Sequence, residues 1–268
     1  MDSLPLRAIV LDNDEASGSY MLIFDLWETL MKTSFGSALE FKQILDFLVK
    51  NVMKYNIFRP GLMRFLTTCV ELREANRIDG LIMYTHQNAE YVWKDWSVPA
   101  LLATLMGHLV AQTHPGGKLK RRLFDYVLTL PPDEFQREVN GWIVKDFERI
   151  LNLYPWKPKD IRKILFVDDH ASPKYIEAST IAPDKKHIYS WYKVTPYRIA
   201  YGATLYRQMI AELCEEYGLE VSEEDSAVID EIARGTRMDR SGPSTYNLND
   251  PTFNELESYV REMYKGKK

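Results

Sequence analysis

The stretch Ala8-Ile-Val-Leu-Asp-Asn-Asp-Glu-Ala-Ser17 runs apolar and then stops in two carboxylates one residue apart. A continuous apolar run of this kind, in place of an alternating one, suits a strand covered on both faces, as in a parallel sheet. Charges at its end then lie at the C-terminal edge of the sheet, where open α/β sheets bind their ligands. One run decides little, because Asp also ends strands by starting turns, and Gly18-Ser19 is turn chemistry. The pattern recurs, however. Lys163-Ile-Leu-Phe-Val-Asp-Asp169 is a second apolar strand ending in carboxylates, and Gly80-Leu-Ile-Met-Tyr-Thr85 is a third ending in a hydroxyl. Three such strands deliver Asp12, Asp14, Asp168, Asp169 and Thr85 to one edge. Converging carboxylates repel and raise each other's pKa unless a cation sits between them, so the pattern implies a metal. Oxygen ligands without a supporting His or Cys cluster favour Mg²⁺ before Ca²⁺.

The segments between these strands read as crossovers. Gly18 to Phe35, rich in aromatic and aliphatic residues, is expected to be a hairpin or helix folded over the first strand tip. Leu39 to Tyr55 carries Phe41, Ile44, Leu45, Leu48 and Val52 at helical spacing. Arg59-Pro-Gly-Leu62 opens another helix that feeds the strand ending at Thr85. The alternation of strand, helices and strand argues for right-handed crossovers and a parallel sheet flanked by helices. After Thr85 the pattern is helical to Val110, and His114-Pro-Gly-Gly117 breaks it. Leu123 to Leu130 reads as a strand, Glu134 to Val139 as a helix, His187 to Val194 as a strand, and Tyr197 to Tyr217 as a long helix. Residues 213–268 form an expected C-terminal helical extension: acidic from Glu220 to Arg234, loop-like from Gly235 to Pro251, and helical again from Phe253 to Tyr264.

A hydrophobic content of 46% and a charged content of 27% exclude a disordered chain. The formal net charge of −4 carries no basic footprint, so direct nucleic-acid binding is not expected. The densest basic cluster, Lys118-Leu-Lys-Arg-Arg122, reads as a solvated face. Cys69 and Cys214 fall inside apolar helical patterns, as reduced packing residues do. The longest apolar segment, Val98 to Val110, is too short to span a bilayer, and no secretory signal is apparent. An intracellular, cytoplasmic or nuclear location is therefore expected.

Leu11-Asp-Asn-Asp-Glu15, the strand ending at Thr85, a Lys, and Val167-Asp-Asp169, in that order, resemble the four motifs of the haloacid dehalogenase superfamily of phosphohydrolases. Phe58-Arg-Pro-Gly-Leu62, Val144-Lys-Asp146 and Ser190-Trp-Tyr-Lys193 narrow the likeness to the phosphatases of the RNA polymerase II C-terminal domain and their small relatives. The resemblance spans roughly residues 7 to 212. It implies a Rossmann-like core with insertions at about 18–56 and 88–140.

The resemblance also implies roles. Asp12 would be the nucleophile that forms an aspartyl-phosphate, and Asp14 would protonate the leaving oxygen and then activate water. Thr85 and Lys145 would hold the phosphoryl oxygens, with Lys118 and Lys120 as rivals for the Lys and Lys163 at the wrong end of its strand. Asp12, Asp14, Asp168 and Asp169 would bind Mg²⁺. The substrate implied is phosphoserine or phosphothreonine in a protein, with a small-molecule or nucleic-acid phosphate, or a non-catalytic binding role, as alternatives. The family usually has Thr or Val where this chain has Ala16. His86 and His170 read as loop residues beside strand tips, and Trp93, Trp96, Trp191 and Tyr192 as packing.

Overall fold

The computed structural model describes residues 19–25, 47, 50–51, 54–55, 58–88, 92–93, 96–130, 138–139, 141–143, 145, 161–169, 188–194, 203–218, 220, 226–227 and 250–265. Its centre is a sheet of five strands: β1 (Ser19–Phe24), β2 (Gly80–Asn88), β5 (Tyr126–Leu130), β8 (Ile161–Asp168) and β9 (Ile188–Lys193). Two short antiparallel ribbons lie outside it, β3 (Val92–Trp93) with β4 (Trp96–Ser97), and β6 (Glu138–Val139) with β7 (Trp142–Ile143). The described helices are α1 (Leu62–Glu74), α2 (Val98–Thr113), α3 (Ala203–Tyr217) and α4 (Thr252–Lys265).

Met21, Leu22, Ile23 and Phe24 are all fully buried, so β1 is covered on both faces, as its unbroken apolar run requires. Every pairing in the central sheet is parallel, in the order β5-β2-β1-β8-β9. Counted along the chain within this sheet, the order is 3-2-1-4-5, that of a Rossmann-like α/β fold. The direction of winding reverses between β1 and β8. Ligands in such sheets bind at this switch point, outside the carboxyl ends of the strands.

Side chains alternate across each strand, and the register fixes which of them share a face. Phe24 is level with Val167, and Val167 with Tyr192. On this face Phe24 meets Phe65 of α1 edge-on at 5.8 Å and Phe124 at 6.4 Å. Phe65 stacks on Phe253 of α4 at 5.3 Å, and Tyr192 meets Tyr259 of α4 at 6.0 Å. The C-terminal helix is thus part of the core layer. Polar contacts at its rim repeat the docking: Thr68 donates to Glu257 at 3.0 Å, and Arg261 bonds both Glu257 and Thr68. Gly61 lets α1 start beneath α4, since its φ of +78° is left-handed and a Cβ there would stand 3.3 Å from the Phe253 Cβ.

The chain divides into two compact units, one of Met1–Leu30, Gly61–Pro196 and Pro251–Lys268, the other of Met31–Pro60 and Tyr197–Asp250. In the second, Glu212 of α3 accepts from the Tyr55 hydroxyl at 2.5 Å and from Lys54, while Glu216 pairs with Lys50 at 2.6 Å. Those partners hold the Glu212 carboxyl down at about 2. Arg59 pairs with Asp250 at 2.8 Å in the same unit. Among the described residues no helix is long and apolar enough to cross a membrane.

Several expectations are corrected here. Residues 18–56 are not all insertion, because Ser19–Phe24 supplies the central strand; its hydrophobicity on both faces is what a middle position needs. Residues 88–140 are not all insertion either, since β5 pairs with β2 as an edge strand. The strand ending in Thr85 continues to Asn88, and two β3–β4 pairs intervene before α2 begins at Val98. The helix expected over Glu134–Val139 gives way at its end to the β6–β7 ribbon, in which Val139 faces Trp142 across Asn140-Gly141. Gly141 has φ +79°, and Asn-Gly between paired residues is a strong hairpin signal. The division into units also does not follow the expected break after residue 212.

Removing the Phe253 ring should cost about 3–5 kcal/mol. Gly61→Ala should cost about 1–2 kcal/mol through its left-handed backbone, more if Phe253 cannot yield. Urea unfolding of the two variants checks both, and an unchanged midpoint for Phe253→Ala would contradict the docking of α4 into the core layer.

Candidate functional site

Asp25 follows directly on β1, and its N–H donates to the Val167 carbonyl at 2.9 Å, which carries the β1–β8 ladder one step past Phe24. That step brings Asp25 level with Asp168 at the end of β8. Asp168 is fixed in turn by its carbonyl, which accepts from the Val194 N–H at 3.0 Å. Level residues on neighbouring parallel strands share a face, so the two carboxylates meet at the switch point, on the side of the sheet opposite Phe24.

Between them lies Lys145, two residues past the β6–β7 ribbon. Its Nζ donates to Asp25 Oδ1 at 2.5 Å and to Asp168 Oδ2 at 2.8 Å, and the side chain is fully buried. The ammonium stands over the Phe166 ring at 5.0 Å and the Tyr84 ring at 6.0 Å. Phe166 lies two residues before Asp168 and so shares its face. Tyr84 lies one step past Met83, which is level with Phe24. The sheet therefore makes both the acidic and the aromatic walls of the lysine's slot.

Asp169 completes the group. Carboxylate oxygens of Asp25, Asp168 and Asp169 lie within 4.8 Å of one another, and all three residues are buried. Burial pushes the Asp25 carboxyl up, the Lys145 ammonium pulls it back, and the charges of Asp168 and Asp169 push it up again, leaving it at about 7. Three buried carboxylates set against one buried ammonium make a set of hard oxygen donors that could hold a metal ion.

Of the residues singled out in the sequence, Asp168, Asp169 and Lys145 come together here, and Thr85 is fully buried at the same edge, one residue past Tyr84. Asp12 and Asp14 lie outside the described residues, as does His170. β1, which leads into Asp25, lies between β2 and β8 in the sheet. Among the rival lysines, Lys120 is exposed and pairs with Glu74 at 3.4 Å, Lys118 is exposed beside α2, and Lys163 sits early in β8, level with Tyr20. His86 is half-buried.

Asp25 is the residue missed in the sequence. Its signal is Tyr20-Met-Leu-Ile-Phe-Asp25, an apolar run ending in an acid, of the same form as Ile164-Leu-Phe-Val-Asp168.

No protein-family model matches this chain, and no curated protein matches it at a significant level.

Replacing Lys145 with Met leaves buried carboxylates without their counter-ion and should cost about 3–5 kcal/mol. Added Mg²⁺ should recover part of that loss in a urea titration; a neutral substitution would contradict the buried ion pairs. The sign of the pH effect follows from Asp25. Its carboxyl is raised in the folded protein from 3.8 to about 7, so the stability it contributes is full below 3.8 and is lost as pH rises through about 7. Because a proton competes with the metal, thermal unfolding in chelator should fall from pH 5 to about pH 8, while Mg²⁺ should stabilise more at the higher pH. A Mg²⁺ effect that weakens with rising pH would contradict the assignment.

Proposed function

We propose that this chain is a Mg²⁺-dependent phosphoryl-transfer enzyme of the haloacid dehalogenase superfamily, with Asp25 as the nucleophile that forms an aspartyl-phosphate. The observation that carries the reading is the buried Asp25–Lys145–Asp168 cluster, joined by Asp169, at the switch point of a 3-2-1-4-5 parallel sheet. The strand order and the succession of acid, hydroxyl, lysine and paired acids along the chain support the family. So does Thr29, which stands four residues past Asp25, where the family's first motif carries Thr.

In the proposed reaction Asp25 attacks phosphorus, a use of a carboxylate that needs no activating base once it is ionised. Lys145 orients the Asp25 carboxylate and brings positive charge to the nonbridging oxygens of the transferred group. Thr85 supplies a hydroxyl for a phosphoryl oxygen at the same edge. Asp168 and Asp169, with Asp25, would hold Mg²⁺, which when bound keeps the nucleophile ionised and offsets the negative charge of the incoming phosphate.

The protein substrate, phosphoserine or phosphothreonine, comes from the resemblance. A second reading, a protein that binds at this site without turnover, is favoured by one observation: the position two residues past Asp25 holds Trp27, where the family has its acid.

Asp25→Asn, which preserves volume and removes the nucleophile, should abolish Mg²⁺-dependent release of nitrophenolate from p-nitrophenyl phosphate. Circular dichroism checks that the fold persists. Wild-type rates in the folded variant would sink the mechanism.

A further inference from the structure

α2 carries no Asp, Glu, Lys or Arg, and its apolar surface covers more than one face. Leu102, Met106 and Val110 are fully buried and make the face that enters the core. Ala100, Ala103, Gly107 and Ala111 recur at helical spacing on a second face. That face is one wall of a groove of about 930 Å³, and the segment running back from Gly117 to Val127 is the other. The volume is that of a small-molecule site. The helix wall from Ala100 to Ala111 is about 16 Å long, so the groove suits an extended chain more than a compact ring. Leu123 and Phe124, both buried, make the opposite wall apolar as well. Small residues keep the space open, for even a Cβ on Gly107 would stand 3.5 Å from the Leu123 Cβ.

The rim is cationic, in a chain whose formal net charge is −4. Lys118, Arg121 and Arg122 are exposed along it, where the chain has just left α2. Asp125 also lines the groove, but its carboxylate is engaged: it accepts from the Leu81 N–H at 2.9 Å and lies 3.4 Å from Arg73 and 3.5 Å from Arg121. Among the described residues no carboxylate pairs with Lys118 or Arg122. An apolar trough that ends in unneutralised cations is complementary to an apolar chain with an anionic head. The groove is also remote from the carboxylate cluster. Arg121 donates to the Asp79 carbonyl at 2.6 Å and the Asp125 N–H to the Leu81 carbonyl at 2.8 Å, which sets this segment level with the start of β2, whereas Thr85 lies further along that strand.

We propose that this groove binds a free linear amphipathic carboxylate, with the alkyl chain along α2 and the head at Lys118 and Arg122. Burial of the chain supplies the affinity, about threefold for each added CH₂. The cations select the sign of the head and add less, because they are exposed. The groove is separate from the chemistry at Asp25 and does not depend on it.

The test titrates the full chain by isothermal calorimetry with octanoate, decanoate and dodecanoate below their micelle concentrations, and with dodecyltrimethylammonium. Saturable binding of dodecanoate is expected, with decanoate weaker by about tenfold and no saturable binding of the ammonium. Joint replacement of the two exposed cations, Lys118→Glu with Arg122→Glu, should weaken dodecanoate binding about tenfold. Ala111→Leu, which fills the trough, should abolish it, with the melting temperature as the check on folding; if that variant does not fold, the chain-length series and the charge reversal decide. Asp25→Asn should bind dodecanoate as the wild type does, and weaker binding there would overturn the separation of the two sites. Equal binding of the ammonium, affinity independent of chain length, or unchanged affinity after charge reversal would overturn the inference. So would binding to anionic phospholipid vesicles without affinity for dodecanoate, which would make the groove a membrane contact. None of these outcomes touches the phosphoryl-transfer reading.

Discussion

The buried ion pairs of Lys145 with Asp25 and Asp168 are the constraint on which the rest of this site depends. Burying an ammonium and two carboxylates is costly, and the cost is offset only where the charges meet in close geometry. The parallel sheet supplies that geometry. Its register sets Asp25 level with Asp168, while Phe166 and Tyr84 close the slot around the lysine. Lys145, which follows the β6–β7 ribbon, fills that slot. Replacing buried ion pairs by well-packed apolar residues is often neutral or stabilising, so the cluster points to a use beyond stability.

Charge balance carries that argument into chemistry. One ammonium does not neutralise three carboxylates, and burial, together with the charges of Asp168 and Asp169, holds the Asp25 carboxyl at about 7. In the proposed reaction a divalent cation settles the imbalance and leaves Asp25 ionised for attack.

Much of this was legible in the sequence because it is local. The runs ending at Thr85 and Asp168, the helix opened by Arg59-Pro-Gly61 and the amphipathic pattern of α4 each declare themselves within a few residues, and the structure has β2, β8, α1 and α4 there. Lys145 comes from the resemblance, through Val144-Lys-Asp146, and not from a local pattern. Asp25 escapes both, because two apolar runs ending in acids occur within a short stretch. The first ends in two acids and a Gly-Ser pair, whereas Asp25 is followed at once by Leu26 and Trp27, so no turn signal marks it as a strand end. Which run lies between β2 and β8 is decided by long-range pairing and burial on both faces, which local periodicity does not encode. The β6–β7 ribbon was lost for a different reason: Asn140-Gly141 signals a hairpin locally, but its strands are too short to show alternation.

The most direct measurement of the central claim is a crystal structure of the protein grown with Mg²⁺ and beryllium fluoride, which mimics a phosphoryl group on a carboxylate. The account predicts the fluoride complex on an Asp25 oxygen, with Mg²⁺ bound by Asp25 and the Asp168–Asp169 pair. Beryllium fluoride on another carboxylate, or Mg²⁺ bound elsewhere with the Lys145 ion pairs unchanged, would contradict it.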